Sequence, residues 1–129
     1  MSQQIVREYY IIIKQKISSA HFDSAMNSID KLLANFPNDE HGYYYKGVCE
    51  FAKEKYKEAL KSFSCAIKIN PAHAKAYFNL GATLYILKQV DLALINIAKA
   101  LLIFTKRKEL DKKQRCLETL MFIEKERKK

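Results

Sequence analysis

Residues 41–71 read HGYYYKGVCEFAKEKYKEALKSFSCAIKINP, and two helices joined by a tight turn account for the whole stretch. In 41–53 the apolar residues Tyr44, Tyr45, Val48, Cys49 and Ala52 recur at three and four, and in 56–69 Tyr56, Ala59, Leu60, Phe63, Ala66, Ile67 and Ile69 do the same. That spacing lines one face of an α-helix. Lys53-Glu54-Lys55 leaves room for nothing longer than a turn, so the two helices are expected to run antiparallel. Asn70-Pro71 ends the second helix, because proline disfavours a helical residue before it and cannot donate to the ladder.

The same stretch recurs on both sides at a step of 34 residues. Ala25, Ala59 and Ala93 keep that interval, as do Tyr9, Tyr43 and Tyr77, then Phe22, Tyr56 and Val90, and Ile29, Phe63 and Ile97. Leu32, Ala66 and Ala100 form another column. Pro37 and Pro71 are one period apart, with Thr105 at the third position, and Gly47 pairs with Gly81, with Ile13 in the first copy. A fixed period of this length is the mark of stacked supersecondary units. The first copy is expected to form helices over 4–18 and 22–35, and the third over 74–86 and 90–104.

The small residues in these columns have a packing explanation. Glycine inside a helix costs about 0.5–1 kcal/mol relative to alanine. Gly47 and Gly81 are therefore expected where another helix crosses too closely for a side chain, and Ala25, Ala59 and Ala93 where the second helix of each pair touches the first. Phe63 completes this structural set.

Composition agrees with a helical chain. Of 129 residues only 3 are Gly and 2 Pro, so the two helix breakers are scarce. Lys and Arg outnumber Asp and Glu by 23 to 14. Ten of those cations and five of the acids fall in residues 106–129. A basic end of this kind suits acidic protein, RNA or anionic lipid alike. Cys49, Cys65 and Cys116 are an odd number at no metal-ligand spacing and suit a reducing compartment. The N-terminus has no signal-like apolar run, and no stretch has the length of a membrane span. The expected setting is intracellular and cytoplasmic, without secretion.

The period, with its early aromatic, Leu-Gly, central Ala, later apolar and Ala, and closing Pro, resembles the tetratricopeptide repeat. The middle copy carries Tyr43, Gly47, Tyr56, Ala59, Phe63, Ala66 and Pro71; the third carries Tyr77, Leu80-Gly81, Ala93, Ile97 and Ala100. The first is loosest, with Tyr9, Ile12, Phe22, Ala25, Ile29, Leu32 and Pro37. The resemblance implies an all-α solenoid of three antiparallel helix pairs, at residues 5–37, 39–71 and 73–105, in one domain over 1–129. Residues 107–129 follow as a basic capping helix. Its apolar face is expected to be Leu110, Leu117, Leu120 and Met121, which would cover the open edge of the third pair. Phe122 and Ile123 look surplus to that stripe and suit a partner.

In the family the first helix of each pair lines the binding surface. Carried onto this chain, the surface comprises Arg7, Tyr10 and Lys14, then His41, Tyr44, Val48 and Phe51, then Lys75, Phe78 and Tyr85. Aromatics flanked by cations suit a peptide or helix bearing acidic and apolar residues, or a neighbouring subunit of a complex. The family's two-carboxylate clamp for Hsp70 and Hsp90 tails is not expected. Its positions fall on Tyr10, Lys14, Tyr45, Lys75 and Asn79, and only Lys75 keeps the required type.

No catalytic or metal motif accompanies these residues. His21, His41 and His73 have no metal-ligand spacing, and no HExxH, Cys-x-x-Cys, phosphate loop or nucleophile elbow occurs. Cys49 and Cys65 lie on helix faces that suggest burial, where thiols are inert. The expected function is a non-catalytic, cofactor-free adaptor or assembly subunit. The alternatives are an RNA-contacting subunit, which net charge and aromatics would permit, and a peptide-binding co-chaperone.

Overall fold

The computed structural model describes residues 2–129, and all regular structure among them is helical. The helices are α1 (Ser2–Ser18), α2 (Phe22–Asn35), α3 (Glu40–Ala52), α4 (Tyr56–Ile69), α5 (Ala74–Ile86), α6 (Val90–Lys106) and α7 (Leu110–Arg127). They fall into two compact units, one up to Ile69 and one from Asn70 onward.

The turns explain why each helix stops. Ala20, Glu54 and Lys88, one period apart, have φ of 59°, 62° and 65°, and Lys108 has 58°. A single left-handed residue after a helix lets the next amide reach back and satisfy a carbonyl the helix leaves open. The amides of His21, Lys55, Gln89 and Glu109 accordingly donate to the carbonyls of Lys16, Glu50, Leu84 and Phe104, at 2.8, 2.8, 2.9 and 3.0 Å. Glycine is the usual residue in this conformation; here alanine, glutamate and two lysines adopt it at a cost of about 1 kcal/mol each.

In the first unit α1 packs on α2, α2 on α3 and α3 on α4. Its core joins Ile13, Ala25, Ile29, Leu32 and Cys49, with Ala59, Phe63 and Ala66 also fully buried. The repeat columns are therefore the core columns. Gly47 lies against Phe63 so closely that an added Cβ would stand 2.5 Å from the ring. Gly42, which the repeat comparison did not single out, is similarly held by Leu33 at 2.7 Å. One polar position also repeats: Ser28 receives a hydrogen bond from Lys16 Nζ at 2.8 Å, and Ser62, one period later, donates to Glu50 at 2.5 Å.

In the second unit α5 packs on α6 and α6 on α7. Ala74, Ile97, Ala100, Phe104, Cys116 and Ile123 form its core. Gly81 meets Ile97 and the Ala93 carbonyl, where a Cβ would stand 2.5 and 3.0 Å away. With Thr105 in place of the repeat's proline, α6 runs to Lys106 and has 17 residues where α2 and α4 have 14.

Two expectations are corrected here. α7 docks through Cys116, Leu120 and Ile123; Ile123 is 1% exposed, whereas Leu110 and Met121 are 68% and 71% exposed. The helix starts at Leu110, and the seam that meets α6 is rotated by roughly a third of a turn from the leucine stripe. Cys65 is exposed, because Ser62, Phe63 and Ala66 occupy the core side of α4. His73 lies in the linker just before α5 and is buried there as the helix N-cap, its Nδ1 accepting from the Ala76 amide at 3.1 Å.

Candidate functional site

In the first unit the exposed sides of α1 and α3 meet around Tyr10. Its ring lies edge-on to His41 at 5.3 Å and tilted toward Tyr45 at 6.0 Å. Tyr44 continues the cluster, 5.5 Å from Tyr45 and 6.1 Å from Phe63. Tyr10, His41, Tyr44 and Tyr45 are all half-buried, so each keeps part of its surface within reach of solvent.

Asp39 holds this cluster in place. One carboxylate oxygen caps α3 by accepting from the Gly42 amide at 2.7 Å, and the other accepts from the Tyr10 hydroxyl at 2.5 Å. An aspartate before a helix satisfies an amide that has no partner within the helix. That much is readable in Asn38-Asp39-Glu40, but the link to Tyr10, 29 residues away, is tertiary. Burial first, then the hydrogen bond to Asp39, hold the Tyr10 phenol well above the ordinary tyrosine range. Burial likewise pushes Tyr45 up to about 12. Both are neutral hydrogen-bonding groups at physiological pH.

The other residues expected on this face divide. Arg7 and Lys14 are exposed on α1, and Val48 is half-buried on α3. Phe51 stands edge-on to Tyr56 at 5.3 Å, beside the α3–α4 turn. His41 lies 3.3 Å from Glu40, close enough to pair when protonated. At the clamp positions, Tyr10 is engaged with a carboxylate and Tyr45 packs on the core.

In the second unit Lys75 is exposed, and Phe78 and Tyr85 are half-buried against the core. Both aromatics meet α7: the Arg115 guanidinium lies over Phe78 at 4.9 Å, and Phe122 is edge-on to Tyr85 at 6.3 Å. Arg115 is exposed, and the pattern of α7 alone carries no sign of its place on Phe78. Among the described residues no group of three or more His, Cys, Asp or Glu could hold a metal, and no helix is long and apolar enough to cross a membrane.

The profile of the TPR, or tetratricopeptide, repeat matches residues 49–87. Over those residues the chain matches a tetratricopeptide repeat. No curated protein matches the sequence significantly. Among solved structures, the type III secretion translocator chaperone SycD of Yersinia enterocolitica is similar at a TM-score of 0.90 and 16% identity, covering 100% of this chain and 90% of that one. PcrH in complex with the chaperone binding region of PopD gives 0.88 at 16% identity, with 98% and 96% covered. The first TPR of Spaghetti, bound to an HSP90 peptide, gives 0.83 at 17%, with 98% and 95% covered. At these identities the likeness establishes a shared fold.

Proposed function

We propose that this tetratricopeptide-repeat chain is a peptide receptor of the chaperone or co-chaperone kind, holding partner segments on the first-helix faces within each unit. The observation that carries the reading is the aromatic cluster of Tyr10, His41 and Tyr44, rigidly held yet half open. Aromatic rings fixed in this way supply contact area at little entropic cost. Structures of similar fold that hold a partner segment or a peptide favour this receptor over a fixed assembly subunit. In the first unit a partner segment offers apolar side chains to the rings and acidic ones to Arg7 and Lys14; in the second it offers an acid to Lys75. It is not an acidic chaperone tail bound through the five-residue clamp, because Tyr10 and Tyr45 stand where that clamp needs cationic or amide groups.

An array of 15-residue peptides, graded in charge and apolar content and probed with the full chain, tests the reading. Acidic-apolar peptides are expected to bind best. Tyr44→Ala should weaken them by about 1–3 kcal/mol, with the helical circular dichroism unchanged. Lys14→Gln and Lys75→Gln should mainly slow association and flatten its salt dependence. Normal peptide binding by Tyr44→Ala would remove the aromatic cluster from the function.

A further inference from the structure

The second unit has a feature that the first-helix faces do not explain. α7 lays Arg115 over Phe78 and Phe122 against Tyr85, so two residues of the terminal helix stand on the two α5 aromatics expected to meet a ligand. A helix whose only task is to cover the core needs neither contact, since Cys116, Leu120 and Ile123 already fill the seam.

The use made of the arginines separates Arg115 from its neighbours. Arg107 donates to the Ala72 carbonyl at 2.8 Å, and Arg127 pairs with Asp91 at 2.8 Å. Both staple the unit. The Arg115 guanidinium makes no hydrogen bond or ion pair among the described residues, and the side chain is exposed. Its guanidinium is therefore oriented by the ring beneath it, while its N–H donors remain open to a carboxylate. Glu118, one turn on, accepts from Gln114 at 3.1 Å. Lys75, one turn before Phe78 on α5, adds a second exposed cation. Phe122 is 55% exposed although it touches Tyr85, which leaves much of a large apolar ring in water.

We propose that α7 is part of the ligand-binding face as well as a cap: Arg115 receives a carboxylate of the bound segment, and Phe122 with Tyr85 receives an apolar side chain. The proposal rests on the peptide-receptor reading and adds to it a subsite and a spacing. Arg115 and Phe122 are seven residues apart on one helix, about 10 Å. The segment must therefore carry an acid and a large apolar residue about 10–13 Å apart on one face, which means seven positions apart in a helix or four in an extended strand, whose side chains alternate between faces.

The test uses the full chain and fluorescein-labelled 16-residue peptides in an Ala/Gln host. Each carries one Glu and one Phe at either of these spacings, with counterparts in which Gln replaces Glu or Ala replaces Phe. Fluorescence anisotropy should show the Glu-Phe peptide binding more tightly than its Gln counterpart at one of the two spacings. Arg115→Gln should weaken the Glu peptide about tenfold and leave the Gln peptide unchanged, and Phe122→Ala should weaken only peptides that carry Phe. Lys125→Gln, elsewhere on α7, should change neither. Equal losses for the Glu and Gln peptides in Arg115→Gln would mean that Arg115 merely props Phe78, and would overturn the proposal. So would a wild-type chain indifferent to the acid. Tyr44→Ala on the same peptides keeps the two ideas apart. If it weakens binding while Arg115→Gln and Phe122→Ala do not, the receptor reading stands and the α7 subsite falls; if no variant matters, both fall.

Discussion

Replacing Gly47 by alanine sets two opposing effects against each other, and the structure decides the sign. Alanine is the better helix former, by about 0.5–1 kcal/mol. In this place, however, its Cβ would stand 2.5, 2.7 and 2.9 Å from three carbons of the Phe63 ring. Ordinary contact begins near 3.4 Å, so the ring must retreat by about 1 Å. Phe63 is completely buried and has Tyr44 beside it, and a close-packed interior offers no space for such a movement. Overpacking of this kind costs about 1–3 kcal/mol. The net expectation is a loss of about 1–2 kcal/mol, which for a chain of this size lowers Tm by roughly 3–8 °C. Thermal unfolding followed by circular dichroism at 222 nm measures it, with Lys57→Leu on the exposed side of α4 as a control that stays within about 0.5 kcal/mol. Phe63→Leu should cost less in the Gly47→Ala background than in the wild type, with a coupling of at least about 0.5 kcal/mol. A Gly47→Ala chain that melts higher than the wild type would show that helix propensity outweighs the crossing, and the packing argument would fail.

Glycine at Glu54 or Lys108 should raise stability by about 0.5 kcal/mol, as relief of left-handed strain outweighs the entropy glycine adds to the unfolded chain; a lower urea midpoint would contradict the turn geometry. Ile123→Ala should cost about 2–5 kcal/mol and Met121→Ala close to nothing, whereas the reverse order would restore the leucine stripe as the docking face. Cys65 should react with a thiol reagent at once, with Cys49 and Cys116 following only on unfolding, as mass spectrometry of the native protein can show. Burial pushes the Cys49 thiol up to about 11 from an ordinary 9.0, so its contribution to stability is whole below pH 9 and declines between pH 9 and 11. Urea midpoints at pH 8 and 10.5 should therefore fall further for the wild type than for Cys49→Ala, and equal falls would mean that Cys49 does not titrate in this range.

The 34-residue period determined the helices, their pairing and the buried columns of Ala25, Ala59 and Ala93 and of Ile29, Phe63 and Ile97. These depend on contacts between neighbours in sequence, and a period of apolar spacing records such contacts directly. The close crossings at Gly47 and Gly81 were legible too, because a glycine kept inside a strong helical pattern has few other physical reasons. Only the tertiary structure decided how α7 is turned. Its sequence offers two apolar stripes, and the choice of Cys116, Leu120 and Ile123 over Leu110 and Met121 follows from the shape of the α6 surface it meets. The same holds for the sites. The Tyr10 hydroxyl on Asp39 joins residues 29 positions apart, and the Arg115 guanidinium on Phe78 joins residues from helices two elements apart in the chain. Exposed side chains leave no periodic trace in a sequence, since nothing in the helix pattern depends on what they touch. Their positions come from the packing of whole helices.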